Sequence, residues 1–188
     1  MRKVFGKNSD VMDLFLNRTQ DEARCKNVFF EKDKIYSFGT HYELGRFLDP
    51  GTVLINDDGY SKTTKRHVIK LYFQAKSAGI NTFFKSNIYP DRVVKSMKVS
   101  MARYKKARRP AIYKNSILER YGIFEEYDRY NTSLGPEHPE FIDWSKDQVD
   151  AFDEMVEIVR YVKGEDPKIE TVKDDETSMK ELQKLFNF

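Results

Sequence analysis

The chain contains one cysteine and three histidines. No run of apolar residues approaches the roughly 20 needed to cross a bilayer as a helix. A lone Cys25 excludes an intramolecular disulfide and any metal site built from several cysteines. The opening Met-Arg-Lys-Val-Phe-Gly leads into no apolar stretch of the kind a signal peptide carries. A reducing, cytoplasmic setting with no membrane partner is therefore expected. There is no Gly-x-x-x-x-Gly-Lys loop, which argues against a nucleoside triphosphatase. Internal repeats and coiled-coil heptads are missing too, and no cofactor is implied.

The most informative shortage is of acids. Residues 62–114 hold fifteen Lys or Arg and a single acid, Asp91, a formal charge of +14 in a chain whose total is +3. Residues 1–61 sum to −1 and residues 115–188 to −10. So segregated a charge suggests a polyanionic partner, with an acidic protein surface as the other candidate. What is present otherwise speaks for a folded protein. A content of 39% hydrophobic and 14% aromatic residues is too rich for disorder, while 34% charge and a mean hydropathy of −0.70 describe an ionised surface. At 188 residues there is room for one domain of ordinary size, or a core with a helical appendage.

Val11, Leu14 and Phe15 recur at helical spacing behind Ser9, a residue suited to an N-cap. Asn27-Val28-Phe29-Phe30-Glu31 and Lys34-Ile35-Tyr36-Ser37-Phe38 flank a Lys32-Asp33 turn and read as a hairpin. Strands over residues 42–48 and 52–56, joined by Asp49-Pro50-Gly51, extend it to an antiparallel meander. A helix over 64–78 follows, ending at Gly79, with Val68, Leu71, Tyr72 and Ala75 on its apolar face and Ile69 and Phe73 widening it. A linker to Pro90 precedes a helix over 91–109 capped by Asp91 and stopped by Pro110. Short tyrosine-rich helices are expected from residue 111. Ser145 and Gln148 form a capping box for a helix to residue 163, with Val149, Phe152, Val156 and Val159 as its stripe and Gly164 as its stop. Residues 165–176 read as a charged linker, and Ser178 to Phe186 as a short amphipathic helix.

The expected fold is thus α+β: a small antiparallel β meander packed by helices, followed by a mainly helical acidic C-terminal region. The division expected is a core over 1–110 that includes the basic helix, a helical acidic region over 111–164, and a linker with terminal helix over 165–188.

On a helical wheel, Val93, Val94, Met97, Met101 and Tyr104 share one arc, while Arg92, Lys95, Lys98, Arg103, Lys105, Lys106 and Arg109 occupy the other side. Like charges three or four residues apart repel by a few tenths of a kcal/mol per pair. A helix has no folding reason to gather them, and phosphates would relieve the repulsion. The competing explanation is that the acidic C-terminal helix neutralises this face, within the molecule or in an oligomer. Tyr89, Tyr104, Tyr113, Tyr121, Phe124, Tyr127 and Tyr130 offer bases something to stack on, although packing in the core explains them more simply.

A second candidate is Tyr60-Ser61-Lys62-Thr63-Thr64-Lys65-Arg66-His67. Ser61, Thr63, Thr64, Lys65 and Arg66 gather hydroxyls and cations where a helix begins, a natural anion site. Capping alone accounts for the hydroxyls equally well. Catalytic arrangements are scarce. His41-Tyr42-Glu43 matches the His-x-Glu of zinc deaminases, but their Pro-Cys-x-x-Cys cannot exist with one cysteine. A small metal-dependent nuclease built from His41, Glu43, His67 and Asp57 or Asp58 is the third functional reading, and hydrogen bonding within the fold is the simpler role for these histidines.

Three stretches, Asn17-Arg18-Thr19-Gln20, Asn27 to Glu31 with Ile35 to Tyr42, and Tyr60 to His67, together resemble a pattern in small uncharacterised proteins encoded by bacteriophages and their relatives. The resemblance covers about the first 110 residues and leaves out the acidic C-terminal third. It implies a viral or mobile-element accessory protein in the host cytoplasm and brings no catalytic assignments. The function expected is non-enzymatic binding of nucleic acid, DNA or RNA, through the basic helical face. The rival is a protein-interaction factor, such as an inhibitor of host or defence machinery, or a virion component.

Overall fold

Alternation of apolar and polar residues around tight turns builds one sheet of six strands, ordered β1 to β6 along the chain. The structure, a computed structural model, describes residues 2–59 and 61–165. Tyr60 and the expected linker and terminal helix after residue 165 lie outside the described residues. The strands are β1 (Glu22–Arg24), β2 (Val28–Glu31), β3 (Lys34–Ser37), β4 (Glu43–Asp49), β5 (Thr52–Ile55) and β6 (Asn81–Phe84). β1 to β5 pair antiparallel, which is the expected meander with one short strand added in front. β6 falls within the stretch expected to be a linker. It pairs parallel with β5, Thr52 opposite Asn81 through Ile55 opposite Phe84, and the chain crosses between them through helix α2 (Lys62–Ser77). A parallel pair needs such a crossover, because two strands running the same way cannot be joined by a tight turn.

Helices α1 (Asn8–Leu16) and α2 cover one face of this sheet. Val11, Met12, Phe15 and Leu16 of α1 meet Val68, Leu71 and Ala75 of α2 and Val28, Phe30, Ile35, Leu44, Phe47, Val53 and Ile55 of the strands in one core. Ser9 does not cap α1: the N-cap is Lys7, which makes no side-chain cap bond, and the Ser9 hydroxyl turns to Asp10. The apolar face of α2 is narrower than expected, since Ile69 and Phe73 are 45% and 62% exposed. Its ends are as read, Ser61 capping the first turn and Gly79 taking φ +71° just past the last. Gly45 marks the closest approach. A Cβ there would lie 2.7 Å from the Leu54 carbonyl oxygen and 3.3 Å from Leu71 Cδ2, so only glycine fits between β5 and α2.

The remaining helices form a second compact unit. One unit holds the residues up to Ile88 together with His138–Glu140; the other holds Tyr89–Glu137 with the described residues from Phe141 on. The short helix α3 (Lys85–Ile88) closes the first, and α4 (Pro90–Lys106), α5 (Ala111–Leu134) and α6 (Lys146–Lys163) make the second. The basic helix therefore shares a core with the acidic one, where the sequence reading grouped it with the sheet. α4 starts one residue earlier than expected, with Tyr89 as N-cap, Pro90 at the first position and Asp91 in the first turn. It ends at Lys106, with Ala107 already extended, so Arg109 lies off the helix.

Instead of several short helices, α5 runs unbroken for 24 residues. Val93, Val94, Met97 and Met101 of α4 pack with Ile117 and Phe124 of α5 and Ala151, Met155, Ile158, Val159 and Val162 of α6. The capping box of Ser145 and Gln148 and the left-handed Gly164 bound α6 as expected, but its buried stripe is rotated and Val149 is 44% exposed. Asn131, 2% exposed, fastens the α5–α6 connection by donating from Nδ2 to the Ile142 carbonyl and accepting from the Ile142 N–H, each at 2.8 Å.

Two glycines test this packing in opposite directions. Gly45→Ala should destabilise the sheet unit by about 1–3 kcal/mol, because backbone rather than a movable side chain blocks the new methyl. Gly122 sits exposed within α5, where a Cβ meets no atom within 4 Å. Gly122→Ala should raise stability by about 0.5–1 kcal/mol through helix propensity. Denaturant unfolding of each variant reads both changes, and a neutral Gly45→Ala would refute the close approach.

Candidate nucleic-acid interface

An α-helix with one buried arc holds its remaining side chains at fixed angles, and α4 sorts its cations accordingly. Arg92, Lys95, Arg103 and Lys106 fall at i, i+3, i+11 and i+14, a nearly straight line along a helix because 11 residues is close to three turns. That line lies opposite the buried Val93, Val94, Met97 and Met101, and all four cations are exposed. Arg92 stands over the Tyr89 ring at 5.7 Å. Lys95, Arg103 and Lys106 make no ion pair among the described residues.

Lys98 and Lys105 belong to a different side of the helix. Lys98 pairs with Glu154 of α6 at 2.6 Å, and the Lys105 ammonium lies 5.6 Å from the Tyr161 ring centre. The expected basic face thus divides into an outward ridge and a flank engaged by the acidic helix. From Arg92 to Lys106 the ridge is about 21 Å long at 1.5 Å per residue.

Beyond Lys106 the chain turns through Ala107-Arg108-Arg109-Pro110 into α5. Arg108 and Arg109 are exposed, and Ile112 is the most exposed of the large apolar side chains described, at 71%. Together with Ala107 and Tyr113 they line an open depression of about 720 Å³. Arg109 was expected as part of the helical face; it is an element of this corner. Arg108 and Ile112 were not singled out in the sequence, although the Arg-Arg-Pro run signals both charge and a helix stop.

The aromatics divide sharply. Phe124 and Tyr127 are buried, Tyr121 stacks on Phe152, Tyr104 meets Tyr161 edge-on, Tyr130 packs on Tyr127 and Tyr89 takes Arg92. Tyr113, half-buried, makes no ring contact among the described residues.

At the start of α2, Ser61 Oγ accepts from the Thr64 N–H at 3.1 Å and bonds Thr64 Oγ1 at 2.9 Å, and Thr64 is 1% exposed. These two hydroxyls serve the cap. Thr63, Lys65 and Arg66 are exposed around it, and α2 has no acid in its first turn.

His67 is 6% exposed, its Nδ1 2.9 Å from Ser37 Oγ and its Nε2 3.0 Å from Asn8 Nδ2. Both ring nitrogens are occupied within the fold, so the ring could serve a metal only by giving up one of these bonds. Burial, followed by the nearby Lys70, pushes its pKa below the usual 6.5. His41 is exposed and Glu43 forms an ion pair with Arg46 at 3.4 Å. Asp57 accepts from the Ser86 N–H at 2.9 Å and from its hydroxyl, and Asp58 pairs with Lys85 at 2.7 Å. The Tyr42 hydroxyl donates to the Asp58 carbonyl, with its pKa pushed up to about 12 by burial and then by Asp58 and Asp57. Among the described residues no three His, Cys, Asp or Glu side chains gather as a metal would need. No described helix is long and apolar enough to cross a membrane.

Comparison with known proteins returned no matching family model, no matching curated protein and no matching solved structure.

The buried His67 gives the fold a definite pH response. Its lowered native pKa means that the unfolded chain binds a proton more readily, so the neutral ring's contribution is complete above about pH 6.5 and is lost as pH falls below it toward the native value. Urea midpoints between about pH 7.5 and pH 5 should fall more steeply for the natural chain than for His67→Gln. Parallel slopes would show that His67 titrates alike folded and unfolded.

Proposed function

We propose that this chain is a non-enzymatic nucleic-acid-binding protein that contacts phosphates along the ridge of Arg92, Lys95, Arg103 and Lys106. The carrying observation is the geometry of α4: the burial of Val93, Val94, Met97 and Met101 turns four cations outward in one line, away from the carboxylates of α6. Arg103–Lys106 is a like-charge pair at i, i+3, costing a few tenths of a kcal/mol in the free protein. Phosphates laid along the ridge remove that cost and release counterions. A row of backbone contacts reads little sequence, so the binding is expected to be of low sequence preference. The resemblance of the first 110 residues to small phage proteins favours a phage or mobile-element accessory role in the cytoplasm of a host cell.

A second reading has its own observation. Lys98 already holds the Glu154 carboxylate, so α4 accepts acidic side chains as well as it would phosphate. An acidic protein surface laid along the ridge, as in an inhibitor of host or defence machinery, uses the same four cations.

Fluorescence anisotropy with labelled oligonucleotides separates the two. Neutralising four phosphates of a single strand predicts a log K against log salt slope of about −3, so affinity falls by roughly 50-fold between about 50 and 200 mM salt. Replacing Lys95, Arg103 and Lys106 each by Ala should lower the slope by about 0.7 apiece. Lys98→Ala should change it less, because the Lys98 ammonium is already paired with Glu154 and is not one of the ridge cations that meet phosphate. Absence of binding to any oligonucleotide at the lower salt would overturn the nucleic-acid reading and leave the acidic surface.

A further inference from the structure

We infer that the corner between α4 and α5 is a subsite for an unpaired nucleotide, which makes single-stranded nucleic acid the preferred ligand of the ridge over duplex. The inference rests on the phosphate-binding reading of α4 and adds a place where a base would sit. Three features meet at this corner and nowhere else along the ridge. Arg108 and Arg109 continue the row of cations past the end of the helix, both exposed. Ile112, 71% exposed, offers an apolar surface with no counterpart in the core. Tyr113 lines the same depression with a ring that meets no other aromatic among the described residues, whereas Tyr104, Tyr121, Phe124, Tyr127 and Tyr130 are all engaged.

Folding gains little from an isoleucine 71% exposed beside two exposed arginines, since the apolar side chain stays wet and the cations repel. A nucleotide satisfies all of them at once. Its base lies against Ile112 and the Tyr113 ring, while its 5′ and 3′ phosphates reach Arg108 and Arg109. The depression, about 720 Å³ and open to solvent, is within the size range of small-ligand sites. Stacking of this kind tolerates every base because each has a flat apolar face. In a duplex those faces are already covered by neighbouring base pairs, so only a single strand or an unpaired end can use the corner.

The test compares a labelled 20-nucleotide single strand with a blunt 20-base-pair duplex of the same sequence at one salt concentration. The single strand should bind at least about fivefold more tightly, in keeping with the stacking of one base. Ile112→Ser and Tyr113→Ala should each remove that preference while leaving duplex affinity unchanged. Because Tyr113 is half-buried, the substitution Ile112→Ser at the more exposed position serves as the variant least able to disturb the fold, with thermal unfolding as the check. A single strand carrying 2-aminopurine should change fluorescence on binding the natural chain and lose that change with either variant. Equal affinity for the two probes, or variants without effect, would overturn the corner subsite and leave ridge binding standing. Failure of both probes to bind would remove the subsite and the phosphate reading together.

Discussion

Everything distinctive about the helical unit follows from the burial of one arc of α4. Once Val93, Val94, Met97 and Met101 face α5 and α6, the helical repeat leaves no freedom over where the intervening cations point. Arg92, Lys95, Arg103 and Lys106 must project outward. Lys98 and Lys105 must come round to the side where α6 runs. Each buried methionine or valine contributes about 1.5–3 kcal/mol, far more than a surface like-charge pair costs at a few tenths. The apolar seam therefore wins, and the electrostatic strain remains on the surface.

Much of this was legible in the sequence because local chemistry and final structure agree. Val28 to Ser37 alternate as a hairpin should, Ser61 and Gly79 bound α2, and Ser145 with Gln148 starts α6. The missed elements are those whose identity is set by neighbours far along the chain. Glu22-Ala23-Arg24 carries two charges in three residues, and only its pairing with β2 makes it a strand. Asn81 to Phe84 becomes β6 because α2 returns the chain beside β5, a fact no four-residue window contains. Short helices were expected from residue 111, yet Ile117, Phe124 and Tyr127 of α5 are buried by tertiary packing and the helix runs unbroken.

The candidate site divides along the same line. A basic side of α4 follows from periodicity, although Arg109, placed on it by the same periodicity, lies beyond the helix end. That Lys98 and Lys105 are engaged does not follow from it, since that depends on where Glu154 and Tyr161 lie. The hydroxyls and histidines show the reverse case. Ser61, Thr64 and His67 have the chemistry of anion or metal sites, but the fold uses them for a helix cap and for a buried bridge between Ser37 and Asn8. Residue type gave the chemistry available, and packing decided how it is used.

The Lys98–Glu154 pair has one more consequence. Glu154 is carried on a helix fixed to α4 through a shared core, so its carboxylate competes for Lys98 at the effective concentration of a tethered group, in the millimolar range or above. A polyanion narrow enough to follow the ridge never meets it. One broad enough to reach Lys98 as well must first displace a competitor that cannot diffuse away, so the acidic helix acts as a kerb along one side of the track.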